Sequence, residues 1–431
     1  MARVIVIISV VLMMLTLTGE ENNAKVEKKE ESKIPEWISK IELKGDFRLR
    51  YQYQNATKEN DEDGKIDTLD RSRMRYRMRF GIGATVNDWV KVNFGLASGS
   101  ASTTISPSQI TSGKKISIPI GNDPRSTNQT FEGFFSRKPI WIDYAYGEVT
   151  PYKGISLIGG KMKNPIFTTE QLVWDSDITP EGGALALNFE LPASTSLFFN
   201  GGAFVLDEVK APKNDDGSLD KSWNDPVMVF VQLGTGIKNN LTDTKIAFAY
   251  YHPVRLQYEV FNASTPEGQT VADYVTNHVN YRAFNIELAS SWFFGKKYTA
   301  GVFGEFTMNT SPLESKYLGS IADEKFAYLA GIKGGTKDLK NLGDFQISAL
   351  YREFQAVAWF PVFTDADFLD GAPNISAIKA SATAAIFKNT FLTATYIYSF
   401  TANEDISGTE ESDSPEKVKE HLVQVDISAK F

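Results

Sequence analysis

Five arginines at alternate positions, Arg71, Arg73, Arg75, Arg77 and Arg79, carry the clearest chemical potential in this 431-residue sequence. A guanidinium keeps its charge at any relevant pH, and its planar fork matches carboxylate and phosphate. The spacing says where they stand. A helix would scatter five such residues around its circumference, whereas a strand sorts them to one face. Met74, Tyr76, Met78, Phe80, Ile82, Ala84 and Val86 fall on the opposite face. One side is wet and the other dry, as in a half-exposed soluble sheet or the wall of a membrane β-barrel. The alternation runs for about fifteen residues, past the usual five or six of a strand and enough to span a bilayer. The length favours the barrel.

Other chemistry finds less support. With no cysteine there are no disulfides, thiolate metal sites or thiol nucleophiles. The three histidines, His252, His278 and His421, are far apart, and no serine or acid stands at a diagnostic spacing from them. No enzymatic activity is expected. A net charge of −8 argues against nucleic acid as a partner. In ENDEDGKIDTLD, Glu59, Asp61, Asp63 and Asp70 match first, third, fifth and twelfth positions of a calcium-binding loop. The flanking helices are missing and the twelfth ligand is Asp, so a solvated acidic loop is the stronger reading and a low-affinity Ca2+ site the alternative. No cofactor is required. A second acidic cluster, Glu170, Asp175, Asp177 and Glu181 beside Trp174, lies in Lys163–Gly183.

These residues must be positioned by the surrounding elements. From Ile38 onward, period-two segments are joined alternately by long polar loops and tight turns. The tight turns are Asn87-Asp88, Pro151–Gly154, Pro192–Thr195, Asn239–Asp243, Gly295–Lys297, Lys337–Gly343 and Lys388-Asn389. Eight long connections lie between them, beginning with Gln54–Asp70, Ser100–Lys138 and Lys163–Gly183 and ending with Thr401–Lys417. Together they join sixteen strands, with both chain ends on the short-turn side. Outer-membrane barrels have this asymmetry, with short periplasmic turns and long external loops. Residues 1–19 read as a signal peptide, with Arg3 before the apolar Val4–Leu17, a short membrane anchor being the alternative. Residues 20–36 are a short charged periplasmic segment, and 37–431 form the barrel. Trp37, Tyr51, Tyr53, Trp89, Trp292, Phe293, Tyr396 and Tyr398 sit near strand ends, where interfacial girdles belong.

The final strand, HLVQVDISAKF, places Phe431 in phase with Val423, Val425, Ile427 and Ala429. That ending resembles the sorting signal of bacterial outer-membrane proteins, and so implies the barrel-assembly machinery as a partner. With DRSRMRYRMRFG at Asp70–Gly81, DPRSTNQTF at Asp123–Phe131, VWDSDITPEGGALAL at Val173–Leu187 and the TDADF segment, the chain resembles the "putative porin" family of Gram-negative outer membranes. The resemblance implies a water-filled barrel embedded among outer-membrane lipid and lipopolysaccharide, passing small hydrophilic solutes. A homotrimer is the assembly suggested by analogy with sixteen-stranded porins. In such barrels the third long loop folds into the lumen, so Lys163–Gly183 is expected to set its carboxylates opposite a basic wall. Folding of that loop outside the mouth is the alternative. Alternation places Arg48, Arg50, the five arginines and Lys91 inside, which leads to an expectation of anion preference. The competing reading is a barrel with a closed lumen, structural or adhesive through its external loops.

Overall fold

The computed structural model describes residues 40–59, 66–100, 124–208, 225–255, 281–313, 319–405 and 417–431. The signal-peptide and charged-segment readings, 1–19 and 20–36, lie outside them, as do Trp37, Asp61, Asp63 and His278. Seventeen strands are described in chain order. The first five are β1 (Ile41–Glu59), β2 (Ile66–Thr85), β3 (Val90–Ser98), β4 (Gln129–Thr130) and β5 (Ile140–Tyr152). Next come β6 (Ile155–Lys161), β7 (Glu181–Leu191), β8 (Thr195–Val205), β9 (Val227–Lys238), β10 (Thr242–Val254) and β11 (Ala283–Phe294). The last six are β12 (Tyr298–Asn309), β13 (Phe326–Thr336), β14 (Phe345–Phe354), β15 (Ile375–Phe387), β16 (Thr390–Thr401) and β17 (Lys417–Lys430).

Sixteen of these form the wall, each antiparallel to its sequence neighbours, and β17 pairs with β1 to close the ring. The remaining strand, β4, covers the part of β2 that short β3 leaves open, at Arg75 and Tyr76. Closure gives every wall strand a partner on both sides, so the ring has no edge strand. At the seam the Gly45 amide donates to the Phe431 carbonyl at 2.8 Å, and the Phe431 amide returns to Gly45 at 3.0 Å. Glycine is required there, because a β-carbon on Gly45 would run into the Phe431 ring.

All seven tight turns fall between strands as expected. Asn87 and Asn239 each accept two backbone amides just ahead of them, the geometry that lets asparagine stand in for a backbone turn. One loop is shorter than expected. Gln54–Glu59 and Ile66–Asp70 are strand, so the connection from β1 to β2 shrinks to residues 60–65. The alternating pattern there is polar on both faces, because these strands rise past the apolar belt into water.

Outside, large aliphatic side chains face away from the barrel on every side: Leu43, Met78, Leu157, Leu233, Ile332 and Ile347 are all about half exposed or more. A soluble monomer rarely carries so continuous an apolar surface, and lipid is the solvent that suits it. Trp89, Trp292, Phe294 and Tyr298 ring the short-turn end. Phe293, expected in that girdle, turns into the lumen instead, where Lys337 lies 4.0 Å from its ring centre.

Candidate functional site

The β1–β2 register sets Arg48 opposite Arg77 and Arg50 opposite Arg75, with Asp46 facing Arg79 and Gln52 facing Arg73. Like charges directly opposed across a strand pair repel. Part of the cluster is therefore pinned by carboxylates. Asp46 accepts Arg77 Nη2 at 2.7 Å through one oxygen and Arg79 Nε at 2.7 Å through the other. Asp426, opposite Arg50 on β17, takes that guanidinium in a bidentate fork at 2.7 and 2.8 Å. Arg48 donates to Asn128 at 2.6 Å. Arg73 and Arg75 are different. Arg75 reaches Ser126 at 3.3 Å, and the Gln52 carboxamide oxygen serves one of the two at a time, Arg75 at 3.3 Å or, turned over, Arg73 at 2.6 Å. Among the described residues neither has a carboxylate within ion-pair distance.

Opposite this wall stand two loops that enter the lumen. The first, residues 162–180 between β6 and β7, is the loop expected to fold inward. Gln232 on β9 clamps it, its amide nitrogen donating to the Phe167 carbonyl and its oxygen accepting the Phe167 amide, both at 2.8 Å. The Thr169 amide donates to Glu287 on β11. The second, residues 355–374 between β14 and β15, contains Pro361–Asn374, one of the eight long connections expected to be external, and packs inside against the first. Trp359 Nε1 donates to the Val173 carbonyl at 3.0 Å, and the Asp175 amide to the Phe363 carbonyl at 2.7 Å. Trp174 stacks on Phe363 and meets Phe204, Tyr251 and Trp359 edge-on. With inward-facing Phe230, Phe303, Leu329 and Phe354 these rings form a dry core inside the barrel. The physical reason lies in Ala356–Phe363, AVAWFPVF, which has no polar side chain to leave in water.

The plug fills one side of the lumen and presents its carboxylates to the arginines. Arg50, Arg75 and Arg77 face Asp175, Asp177, Asp365 and Asp367 across a cavity of about 270 Å³. Asp175, Ser176 and Asp177 also border a second cavity of about 540 Å³, which continues toward Gly45 and Phe431 at the short-turn end. The two together make a slot running down the β1–β5 side. Two ion pairs cross it: Arg50 to Asp367 at 3.6 Å and Arg79 to Asp177 at 3.2 Å. Asp177 further accepts the amide and hydroxyl of Thr127, tying the plug to the β3–β5 loop.

Burial, reinforced by the charges of Asp365 and Asp177, pushes the Asp175 carboxyl up to about 9. Asp365 is also raised, mainly by burial. For Asp367, burial works the same way but is outweighed by Arg50, Lys379 and a hydrogen bond from Gln424, which hold it below the usual carboxylate range. The acidic wall is thus weaker near neutral pH than its count of carboxylates suggests.

Not every residue singled out in the sequence reaches the slot. Arg48, Arg50, Arg73, Arg75 and Arg77 line its outer cavity and Arg79 its inner one. Arg71, opposite Gln54, is exposed at the mouth, and Lys91, opposite Thr85, stands exposed at the short-turn rim. Trp174 belongs mainly to the dry core and shows one edge to the slot's inner cavity. Glu170 points to a separate cavity, its carboxyl raised chiefly by burial. Glu181 begins β7 and pairs with Lys161 at 3.2 Å, outside the slot. Of the calcium-loop residues, Glu59 faces Ile66 and Asp70 faces Asn55, so these two acids stand four strand positions apart; Asp61 and Asp63 are outside the described residues. Arg125, Asp46 and the acids Asp365, Asp367 and Asp370 also line the slot, with Lys44, Asp143, Lys163 and Glu420, and were not among the site residues expected from the sequence.

The sequence profile of the family described as "Putative porin" matches residues 20–69, 108–287 and 272–431. No curated protein matches the sequence. Among solved structures, OprB of Pseudomonas putida aligns over 92% of this chain and 96% of its own, with a TM-score of 0.50 and 11% identity. OmpF of Salmonella typhi covers 91% and 97%, with a TM-score of 0.44 and 11% identity. The outer membrane channel DcaP of Acinetobacter baumannii aligns over the same shares, with a TM-score of 0.43 and 11% identity. The family match spans most of the sequence, and the closed sixteen-stranded barrel is the fold it calls for: the chain belongs to the putative porin family, as a channel protein of the Gram-negative outer membrane.

Proposed function

We propose that the slot conducts small hydrophilic anions by passive diffusion. The observation that carries this reading is that, among the described residues, Arg73 and Arg75 have no carboxylate within ion-pair distance and share the neutral Gln52 and Ser126, while their neighbours are pinned by Asp46 and Asp426. An anion arriving at the outer cavity therefore meets two guanidiniums that Asp367 and Asp370 offset only across the cavity and not by contact. A succession of arginines along β2 gives several sites of moderate strength, from which an ion can leave. Protonated Asp175 removes part of the opposing charge.

The test is the reversal potential across a planar bilayer under a KCl gradient. Wild type is expected to be anion-selective, and Arg73→Glu/Arg75→Glu to shift several-fold toward potassium. The preference should fade as salt rises, since the Debye length falls from about 10 Å at 0.1 M to about 3 Å at 1 M. A cation-selective wild type unmoved by the double swap would overturn the reading. The two ion pairs that cross the slot favour a second possibility, a lumen closed at rest. Single-channel recording separates the two, because a closed barrel gives no steady unitary current. A homotrimer is part of the same proposal, and crosslinking in outer-membrane fragments would reveal it.

A further inference from the structure

Away from the slot, on the other side of the plug, the inner ends of β9–β15 enclose a second lumenal cavity of about 600 Å³. It shares no lining residue with the slot's two cavities. Four lysines reach it: Lys238, Lys245, Lys333 and Lys337. Among the described residues only Lys238 has a carboxylate within ion-pair distance, Asp243 at 2.7 Å. The other three rest on aromatic faces: Lys245 lies 5.5 Å from the Phe167 ring centre, Lys333 5.9 Å from Phe303 and Lys337 4.0 Å from Phe293. Two acids besides Asp243 border the space, Glu170 and Asp338. Glu170 is half-buried at the plug, and Asp338 is exposed on the turn after β13. Among the described residues neither comes within ion-pair distance of a lysine there.

We infer that this cavity is a binding site for a small, multiply charged oxyanion entering from the short-turn side, distinct from the conduction path. Ring contacts orient the ammonium groups without neutralising them, since the aromatic face offers a quadrupole and no counter-charge. Lysine serves phosphate as a point charge, and an oxyanion needs neutral donors to complete its shell. The cavity supplies hydroxyls from Ser291, Ser348 and Ser381. Its volume suits a small molecule. The turns that border it belong to the same end of the barrel as Phe431, the end that outer-membrane barrels turn to the periplasm, so the ligand would come from that side.

Inorganic phosphate is the probe, titrated calorimetrically into detergent-purified full-length protein carrying Arg73→Gln/Arg75→Gln, which removes the two slot arginines that lack a contact ion pair. Saturable binding is expected, with at least a tenfold loss of affinity when Lys245→Gln/Lys333→Gln is added. Because that pair lies on wall strands, Lys337→Gln on the adjoining turn provides a second variant, with several-fold weaker binding expected, and heat-modifiable migration reports folding. No saturable heat before the lysines are changed, or isotherms unaltered in both folded lysine variants, would overturn the inference. Wild-type conductance, measured separately, decides the channel reading independently.

Discussion

Asp46 and Asp175 show how neighbouring carboxylates in one slot take opposite parts. Asp46 sits between Arg77 and Arg79 and lets two like charges share a strand. Replacing it with asparagine leaves those guanidiniums with a neutral partner, and charge-assisted hydrogen bonds of this kind contribute about 1.5–3 kcal/mol each. Asp46→Asn is expected to destabilise the barrel by a few kcal/mol at most, since the pair is partly solvated, while strengthening anion preference. Denaturant unfolding in detergent and the reversal potential measure the two effects. Asp175 is held in its protonated form by burial and by Asp365. Its folded value of about 9 lies above that of an unfolded aspartate, about 3.9. Between those values the native protein retains a proton that the unfolded chain has lost, so this stabilisation, complete below the lower value, declines as pH rises and is gone above about 9. Raising pH from 7 to 10 should therefore loosen the plug and add negative charge to the slot, lowering anion preference. Asp175→Asn should flatten that part of the pH response; an equal response in the variant would show that another group titrates.

The two inward loops are built on different principles from the strands that carry them. Strands repeat every second residue, so their faces and their tight turns could be read from residue type alone. Loops have no period, and their positions depend on what they touch. Lys163–Gly183 was legible as an inward loop only through resemblance, and its partner was not legible at all. The signal was present in AVAWFPVF, which no solvated loop could keep wet, but an apolar run does not name the surface that will cover it. Likewise the acids Asp365 and Asp367 could not be assigned to the arginine wall before the loop holding them was known to enter. The overhang of β1 and β2 escaped detection because, beyond the lipid, neither face need be apolar. Trp174 tests how the plug is held. It touches Phe204, Tyr251, Trp359 and Phe363, from the second inward loop and two wall strands. Truncating a buried tryptophan typically costs about 3–5 kcal/mol. Trp174→Ala should free the plug from the wall without unfolding the barrel, whose strands are paired independently. Larger and noisier unitary conductance is expected; an unchanged value would mean that the Gln232 clamp and the Val173–Trp359 hydrogen bond suffice.

A closed ring of sixteen strands fixes an inside, an outside and two ends, and function follows from telling the ends apart. The outside is defined by its apolar surface, and the inside by charged slot and dry plug. The ends are defined by connection length: seven tight turns and the Gly45–Phe431 seam lie at one, the long connections at the other. If the short end is periplasmic, a solute from outside meets Arg73 and Arg75 before the Arg79–Asp177 pair, and the lysine cavity faces the cell. The reverse orientation would invert both statements. The chain has no native cysteine, so single substitutions report cleanly. Glu208→Cys and Glu404→Cys lie on the long-connection side, and Lys296→Cys and Lys388→Cys on tight turns; all four positions are exposed. An impermeant maleimide too bulky for the slot should label the first two on intact cells, and the second two only after the outer membrane is permeabilised. Each labelled residue lies beyond the lipid belt, so its reactivity reports sidedness and not local unfolding. Labelling of Lys296→Cys or Lys388→Cys on intact cells, with protection of the other pair, would turn the barrel over, placing the slot's arginines on the periplasmic approach and the lysine cavity at the cell surface.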